Sequence, residues 1–171
     1  MKEKLQQIEL LILDVDGVLT QGEIIYADDG SQLKVFNVKD GIGLRLLMEA
    51  GIQTAIITGR SAGALNARVK NLGIPLLLDG ISDKAKALAT IAQKTDIPKE
   101  KMAMIGDDLP DIPVMKRVGL SIAVADAASE VRTFADITTV RNGGCGAVRE
   151  TCEAILKAKG LWNDAITRFY R

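Results

Sequence analysis

The stretch LLILDVDGVLT, residues 10–20, places four apolar side chains directly before two carboxylates. The apolar run at residues 10–13 predicts a buried β-strand, and Asp14 and Asp16 follow at its end. Two like charges at the end of a buried strand cost free energy unless a cation or hydrogen-bond donors compensate them. The stretch therefore predicts a compensated charge cluster, and with it a functional site, at the carboxyl end of this strand.

Further short apolar runs repeat the pattern, and each is followed by helix-like sequence. These runs are AIIT (55–58), PLLL (75–78), KMAMIG (101–106) and LSIAVA (120–125). Alternation of buried strands with helices predicts an α/β fold with a doubly wound parallel sheet, Rossmann-like, and right-handed crossovers. The whole chain, residues 1–171, is expected to form one domain.

Helix boundaries follow from capping residues and glycines. Asp40, Ser61 and Ser82 are expected to cap three helices at their N-termini. A long final helix is expected over residues 146–159, ending at Gly160.

Two segments break the alternation. Residues 23–38, EIIYADDGSQLKVFNV, contain two β-rich runs around the turn signal DDG, which predicts a β-hairpin that projects from the sheet. The tail, residues 160–171, carries the only tryptophan on a possible short amphipathic helix. This tail either packs on its own domain or docks on a neighbouring subunit.

Composition excludes several functions. The 22 basic residues are balanced by 22 acidic ones, which gives no electrostatic case for nucleic acid or membrane binding. No apolar stretch is long enough for a membrane span, and no signal-peptide pattern precedes the first strand. Cys145 and Cys152 are interpreted as reduced thiols of a cytoplasmic protein, with Cys152 in the core. The absence of histidine excludes histidine-dependent nucleophiles and histidine-bound zinc.

The residues that follow the strands form a coherent chemical set. In open parallel sheets, ligands bind outside the carboxyl ends of the strands. The residues at those positions are Asp14 and Asp16, then Thr58, Gly59 and Arg60, then Asp79 with Ser82-Asp83-Lys84, and finally Gly106, Asp107, Asp108 and Asp111. The predicted site therefore contains several carboxylates, one hydroxyl and one ammonium.

Oxygen ligands of this kind suit Mg²⁺ and a bound phosphate. Asp14 and Asp107 are predicted to bind the metal directly, and Asp16 is also predicted to be a metal-binding residue. Thr58 and Lys84 can bind the phosphate. With these partners, Asp14 becomes a plausible nucleophile toward phosphorus, and Asp16 can protonate the leaving alkoxide and later deprotonate water.

Two further carboxylates keep alternative roles. Asp108 either contacts the metal through water or forms the turn. Asp111 either orients Lys84 or caps the next helix.

The ordered motifs resemble the haloacid dehalogenase superfamily of phosphotransferases. The motifs are DxDGV after the first strand, Thr after the second, Lys at a helix start and GDDxxD after the fourth. The stretches FNVKDGIGLRLL, ITGR, GDDLPDIPVM, AVADA and GGCGAVRE are similar to its capless branch, which includes 3-deoxy-D-manno-octulosonate 8-phosphate phosphatases. This resemblance implies a Mg²⁺-dependent phosphatase without a cap domain, acting through a phosphoaspartate in lipopolysaccharide core biosynthesis.

The resemblance also implies the residues that bind a sugar acid phosphate. Beside Asp16, Thr58, Gly59 and Lys84, they are Asn37, Val38, Lys39, Asp40, Gly41, Arg45, Arg60 and Arg68. Arginine binds carboxylates bidentately, which suits a sugar acid. Related nonulosonate 9-phosphate phosphatases tend to carry an acidic residue at the position of Arg60, so Arg60 favours the eight-carbon acid. Two residues depart from the pattern. Lys39 stands where many relatives have arginine, and Cys145 where relatives often have a basic residue.

In this family the hairpin assembles a homotetramer, and a neighbour's tail helps to close the site. Nonulosonate 9-phosphate and broad sugar-phosphate hydrolysis remain alternatives. A receiver-type phosphorylation module, with Asp79 as acceptor, and a catalytically silent tetrameric scaffold are alternatives of a different class.

Overall fold

The computed structural model describes residues 1–170. Its strands are β1 (Leu10–Leu13), β2 (Ile25–Tyr26), β3 (Gln32–Leu33), β4 (Gln53–Ile57), β5 (Leu76–Leu78), β6 (Met102–Gly106), β7 (Leu120–Ala123) and β8 (Ile137–Thr138). Its α-helices are α1 (Lys2–Gln7), α2 (Val38–Glu49), α3 (Gly63–Leu72), α4 (Lys84–Thr95), α5 (Ile112–Met115), α6 (Ser129–Phe134), α7 (Ala147–Ala158) and α8 (Trp162–Thr167). Short 3₁₀ turns cover Lys99–Lys101, Leu109–Asp111 and Arg168–Tyr170.

The main sheet has six parallel strands in the order β5-β4-β1-β6-β7-β8. In chain order this is 3-2-1-4-5-6, the doubly wound arrangement predicted from the sequence. β1 lies in the middle, and all four of its side chains are fully buried. The five predicted strands are confirmed within one or two residues. β8 was not predicted, because two residues are too few to give a hydrophobic pattern.

The helices pack in groups around this sheet. α7 packs against α1 and α2, whereas α5 packs against α4 and α6. No cap-sized insertion separates the strands between residues 1 and 170, in agreement with the capless prediction. None of the helices in this range is both long and apolar enough to cross a membrane.

The predicted cap of α2 was wrong. Asn37, not Asp40, is the N-cap, and its side-chain oxygen accepts a hydrogen bond from the Lys39 N–H at 2.8 Å. Asp40 is buried in the first turn of α2, where its Oδ1 accepts from the Arg149 N–H at 2.8 Å. Asp40 therefore satisfies a backbone donor at the start of α7, a role that local sequence cannot show.

Two other helices begin one residue later than predicted. Ala62, rather than Ser61, is the N-cap of α3, and no side chain caps it. Asp83, rather than Ser82, caps α4 and accepts from the Lys86 N–H at 3.1 Å. The Asp side chain reaches the free N–H groups of the first turn as well as Ser would.

The predicted hairpin is confirmed. β2 and β3 pair antiparallel as a separate two-stranded sheet. The predicted segment, residues 23–38, runs one or two residues too far, because Asn37 and Val38 start α2. Several apolar side chains on and around the hairpin are exposed, namely Ile24, Ile25, Tyr26, Leu33, Val35 and Val38.

Residues 160–170 of the tail pack on their own chain, and Arg171 lies outside the described residues. α8 contacts α7 and α2, and Trp162 lies beside the cations of Arg149 and Lys157. Arg168 forms an ion pair with Glu49 of α2 at 2.8 Å. Within one chain, the tail therefore packs on its own domain, which is one of the two arrangements predicted for it.

Candidate active site

The site lies at the carboxyl ends of β1, β4 and β6. β1 is flanked by β4 on one side and β6 on the other, so the chain reverses its winding direction here. Crevices of this kind are the usual ligand sites of doubly wound sheets. Asp14, Thr58 and Asp107 directly follow these three strands, and all of them line one cavity.

The cavity has a volume of about 440 Å³ and is open on one side. Its lining residues are Asp14, Asp16, Gly22, Ile24, Thr58, Gly59, Arg60, Ile81, Ser82, Lys84, Asp107, Asp108 and Pro110. The structure thus brings together all four predicted catalytic residues, together with the predicted metal ligand Asp107. Ile24, from the hairpin segment, forms part of the wall.

Lys84 is the central cation of the site. It is the first residue of α4, where the helix start fixes its position, and its side chain is only 6% exposed. Its Nζ lies 3.0 Å from Asp14 Oδ1 and 2.6 Å from Asp111 Oδ1. The interpretation of Asp111 as the residue that orients Lys84 agrees with this contact.

Asp111 also shapes the loop after β6. Its Oδ2 accepts hydrogen bonds from the backbone N–H groups of Asp107 at 3.0 Å and Asp108 at 3.4 Å. Asp108 caps the 3₁₀ turn and accepts from the Leu109 N–H at 2.8 Å. Asp108 therefore forms the turn, one of its two predicted roles, and its side chain also lines the cavity.

Negative charge exceeds positive charge at the bottom of the cavity. Burial, together with the charge of Asp111, raises the pKa of Asp14 to about 6. Burial and the charges of Asp14, Asp111 and Asp108 raise the pKa of Asp107 to about 8. Burial acts to lower the pKa of Lys84, but Asp14 and Asp111 hold it above its ordinary value. One ammonium does not balance the carboxylates that surround it.

The donor set fits a hard divalent cation. Carboxylate oxygens of Asp14, Asp107 and Asp111 lie within 4.8 Å of one another. Asp107 Oδ1 is buried and has no hydrogen-bond partner among the described residues. Buried carboxylate oxygens without a partner are unfavourable, and Mg²⁺ binds such oxygens. Asp14, which shares the single ammonium of Lys84 with Asp111, and Asp107, which has no cation paired with it in residues 1–170, are thus able to hold the ion.

Gly17 provides room for Asp107. Its φ is +87°, and a Cβ at this position would overlap the Asp107 carboxylate. Glycine is the residue that adopts this backbone conformation without strain. The DxDG pattern thus combines two carboxylates with a glycine that lets the loop after β6 approach the loop after β1.

The side chain of Asp16 is placed differently from the metal cluster. Its Oδ1 is paired with Lys34, and its Oδ2 lies 3.9 Å from Arg60 Nε. Asp16 was predicted to bind the metal with Asp14 and Asp107, but in the structure Asp111 is the third carboxylate of the cluster. Lys34 was missed. The available signal was strand alternation, since Leu33 and Val35 point outward and Lys34 between them points inward.

The predicted sugar-binding residues divide into two groups. Gly59 and Arg60 line the cavity with Asp16, Thr58 and Lys84. The remaining predicted residues, Asn37, Val38, Lys39, Asp40, Gly41, Arg45 and Arg68, do not line it within this chain.

Most of this second group has contacts elsewhere. Arg68 donates to the Asn37 carbonyl at 3.0 Å, and Arg45 donates to the Asn71 carbonyl at 2.7 Å. Asn37 and Lys39 line a second cavity of about 540 Å³, together with Cys145. Asp40 is buried at the start of α7, as described above.

The glycine pair of GGCG packs against the loop after β1, which sequence reasoning did not anticipate. A Cβ at Gly143 would overlap the Gly17 carbonyl, and one at Gly144 would meet the backbone of Thr20 and Gln21. The Gly144 N–H donates to the Val18 carbonyl at 2.8 Å. These close approaches place the two glycines as a support for the loop that carries Asp16.

Comparison with known proteins agrees with this architecture. Residues 76–150 match the family model described as haloacid dehalogenase-like hydrolase. The chain is 48% identical over 162 residues to the 3-deoxy-D-manno-octulosonate 8-phosphate phosphatase KdsC of Escherichia coli K12, covering 95% of this chain and 86% of the relative.

Two solved structures are similar over nearly the whole chain. A probable YrbI family phosphatase from Pseudomonas syringae has a TM-score of 0.97 and 44% identity, covering 99% of this chain and 97% of that one. The 3-deoxy-D-manno-octulosonate 8-phosphate phosphatase from Moraxella catarrhalis, solved with magnesium, phosphate and the sugar acid, has a TM-score of 0.96 and 42% identity. That comparison covers 98% of this chain and 97% of the other.

Proposed function

This chain belongs to the 3-deoxy-D-manno-octulosonate 8-phosphate phosphatase family of haloacid dehalogenase-like hydrolases, and we propose that it hydrolyses 3-deoxy-D-manno-octulosonate 8-phosphate to the free sugar acid and phosphate. The observation that carries the proposal is the position of Asp14. Its carboxylate ends the central strand, lines an open cavity and lies 3.0 Å from the ammonium of Lys84. This is the arrangement that an oxygen nucleophile facing a phosphate dianion requires.

Mg²⁺ is the proposed cofactor, held by Asp14 and Asp107. The unpartnered Asp107 oxygen supports this proposal, as does the magnesium in the Moraxella structure. When bound, the ion supplies positive charge that lets a phosphate dianion approach a carboxylate.

Phosphoryl transfer begins with Asp14 as nucleophile. Lys84 and the hydroxyl of Thr58 bind the non-bridging phosphate oxygens and hold phosphorus in line with a carboxylate oxygen of Asp14. A bond forms from that oxygen to phosphorus while the bond to the sugar oxygen breaks. Because Lys84 is held by Asp111, its ammonium needs little reorganisation during the step.

Asp16 is the proposed acid and base. It donates a proton to the departing sugar oxygen, and the resulting carboxylate then takes a proton from the water that hydrolyses the phosphoaspartate. Its position on the cavity wall, two residues after the nucleophile, supports this role.

Arg60 is the proposed partner of the sugar acid carboxylate. Its side chain is half exposed at the cavity, where a guanidinium can bind a carboxylate through two hydrogen bonds. For Asn37, Val38, Lys39, Asp40, Gly41, Arg45 and Arg68, a contribution to substrate binding stays a proposal carried by the family resemblance. Exposed members of this group, such as Val38 and Lys39, lie outside the cavity of their own chain, so their contribution would require a neighbouring subunit. Asp40 is buried and would contribute only by holding the start of α7.

We therefore also propose a homotetramer assembled through the hairpin. The support is the set of exposed apolar side chains on the hairpin segment, residues 23–38, where Tyr26 is 61% and Val35 69% exposed. Exposed apolar patches of this kind are typical of interaction surfaces. Light scattering on the wild type and on Val35→Asp tests this, with Val140→Asp as a control at another exposed valine, 88% exposed and away from the hairpin. A wild-type monomer would overturn the proposal.

A cytoplasmic location remains part of the proposal, supported by Cys145 and Cys152, which are both free thiols. Cys152 lies in the core, as predicted.

The deciding experiment is phosphate release over a panel of sugar phosphates, with Mg²⁺ and with a chelator. The panel contains 3-deoxy-D-manno-octulosonate 8-phosphate, a nonulosonate 9-phosphate and hexose phosphates. A chelator-sensitive preference for the octulosonate is expected. Equal, slow release from every substrate would replace the proposal with broad sugar-phosphate hydrolysis, and no release would favour the scaffold alternative.

A further inference from the structure

Lys34 is a nearly buried ammonium on an otherwise exposed hairpin. Its side chain is 4% exposed, while its neighbours Leu33 and Val35 are 55% and 69% exposed. Side chains alternate along an extended strand, so the hairpin presents apolar groups outward and this cation inward. The inward direction leads to the cavity wall.

The partner of Lys34 is Asp16. The Lys34 ammonium donates to Asp16 Oδ1, and this is its only ion pair among residues 1–170. A buried ammonium needs a partner of opposite charge, so the contact fixes both side chains. The hairpin is thereby tied directly to the proposed acid and base of the reaction.

The second oxygen of Asp16 is held much less firmly. Oδ2 lies 3.9 Å from Arg60 Nε, and the Arg60 side chain is 50% exposed. This separation is at the limit of an ion pair, and exposed pairs of this type contribute little stability. Asp16 therefore has one fixed cation at Oδ1 and one exchangeable cation at Oδ2.

We propose that Lys34 is a positioning residue for phosphoryl transfer, holding Asp16 by Oδ1 so that Oδ2 faces the leaving oxygen of the substrate. The inference rests on the proposed function. When the substrate carboxylate binds Arg60, Oδ2 loses its loose partner and takes up from solvent the proton that the leaving oxygen needs, while Oδ1 still accepts the hydrogen bond from Lys34. The electron pair of an Asp14 oxygen forms the bond to phosphorus, the pair of the broken phosphorus–oxygen bond stays on the sugar oxygen, and the proton of Asp16 Oδ2 moves to that oxygen.

The test uses the leaving group. Departure of a sugar alkoxide needs a proton, whereas departure of 4-nitrophenolate does not. We compare Lys34→Met and Lys34→Arg with the wild type on the octulosonate 8-phosphate and on 4-nitrophenyl phosphate. Lys70→Met, at an exposed lysine of α3, is the matched control.

Lys34→Met keeps the apolar stem and removes the cation. For the sugar phosphate we expect kcat/KM to fall by about 10- to 100-fold through kcat, since a positioned acid contributes about 10²–10⁴-fold. For 4-nitrophenyl phosphate we expect a change within about threefold, because no acid is required. Lys34→Arg, which restores a cation, should recover most of the loss, and Lys70→Met should match the wild type.

Equal losses on both substrates, or a loss in KM alone, would overturn the positioning role. So would full activity of Lys34→Met. Light scattering on each variant separates loss of assembly from loss of positioning. If Lys34→Met no longer assembles, the test uses Lys34→Arg, and an assembled but inactive Lys34→Arg overturns the role. If the wild type does not hydrolyse the octulosonate 8-phosphate, the proposed function fails instead. The leaving-group comparison then uses whichever alkyl phosphate the wild type hydrolyses. If the wild type hydrolyses no alkyl phosphate, the positioning role is overturned as well.

Discussion

The ammonium of Lys84 lies 2.6 Å from Asp111 Oδ1 and 3.0 Å from Asp14 Oδ1. This single cation connects the start of α4 with the end of β1 and with the turn after β6. Asp111 uses its other oxygen to hold the backbone of Asp107 at 3.0 Å. The proposed nucleophile and the proposed metal ligand are thus linked through one buried carboxylate.

Asp111→Asn should therefore weaken the whole site. It removes the shorter of the two ion pairs of a buried ammonium and leaves the pair with Asp14, whereas a buried ammonium without any partner would cost about 3–5 kcal/mol. We expect the free energy of unfolding to fall by less than that amount, together with a large loss of kcat. Urea unfolding and phosphate release measure the two effects. Asp164→Asn, at an exposed aspartate, is the control, and an unchanged stability of Asp111→Asn would contradict the linkage.

Asp14→Asn should abolish phosphate release without unfolding the protein. An amide cannot form the phosphoaspartate, so we expect kcat to fall by on the order of 10³-fold or more. Asp79→Asn provides the control, since Asp79 is the acceptor in the receiver-type alternative. Activity retained by Asp14→Asn, or lost in Asp79→Asn, would reject the proposed nucleophile. Circular dichroism establishes that each variant is folded.

The fold was largely predictable because local patterns and global topology agree. Apolar runs predicted five strands, four of which, such as β1, have a neighbour on each side, and the DDG turn predicted the hairpin. Prediction failed where a tertiary contact overrides a local preference. Asp40 has the chemistry of a cap for α2, but it is a partner for α7, more than a hundred residues away in the chain.

The site was predictable to the extent that it consists of residues directly after strands. Asp14, Thr58 and Asp107 meet because parallel strands end at one edge of the sheet. Lys34 was not found, because its position depends on how the hairpin folds back toward the sheet. The close packing of Gly143 against Gly17 was not found for the same reason, since glycine spacing alone does not identify the partner.

Metal-free protein should lose stability as pH rises. The folded state raises the pKa of Asp14 to about 6 and that of Asp107 to about 8, both above the value of 3.8 expected in the unfolded chain. The folded state therefore retains protons that unfolding releases. This contribution is complete below about pH 4 and disappears as pH rises through the two folded-state values.

Mg²⁺ should reverse this trend, because it binds the deprotonated carboxylates. Thermal unfolding with chelator and with Mg²⁺, at about pH 5 and about pH 9, measures both effects. We expect the stabilisation by Mg²⁺ to be larger at the higher pH, and Asp107→Asn to reduce both the pH trend and the metal effect. A larger metal effect at the lower pH would contradict the assignment.

Arg60→Glu should change substrate preference more than it changes the chemistry. It replaces the proposed partner of the sugar acid carboxylate with a like charge, and hydrogen bonds to charged groups contribute about 1.5–3 kcal/mol. We expect KM for the octulosonate 8-phosphate to rise by about tenfold or more, with little change on hexose phosphates. Arg60→Lys, which keeps the charge but not the bidentate geometry, should be intermediate. Parallel losses on hexose phosphates would assign Arg60 to the phosphate instead.

Gly17→Ala should weaken metal binding through a steric effect on Asp107. The residue has φ +87°, and its Cβ would overlap the Asp107 carboxylate, which would have to move. Gly51→Ala is a closely matched control, because Gly51 has φ +86° but no atom lies within 4 Å of its added Cβ. Both variants adopt a left-handed backbone at a cost of about 1–2 kcal/mol, so both should lose similar stability from strain. Only Gly17→Ala should also lose Mg²⁺ affinity by calorimetric titration and phosphatase activity at limiting Mg²⁺. Equal Mg²⁺ affinity of the two variants would show that Asp107 does not depend on the space that Gly17 leaves.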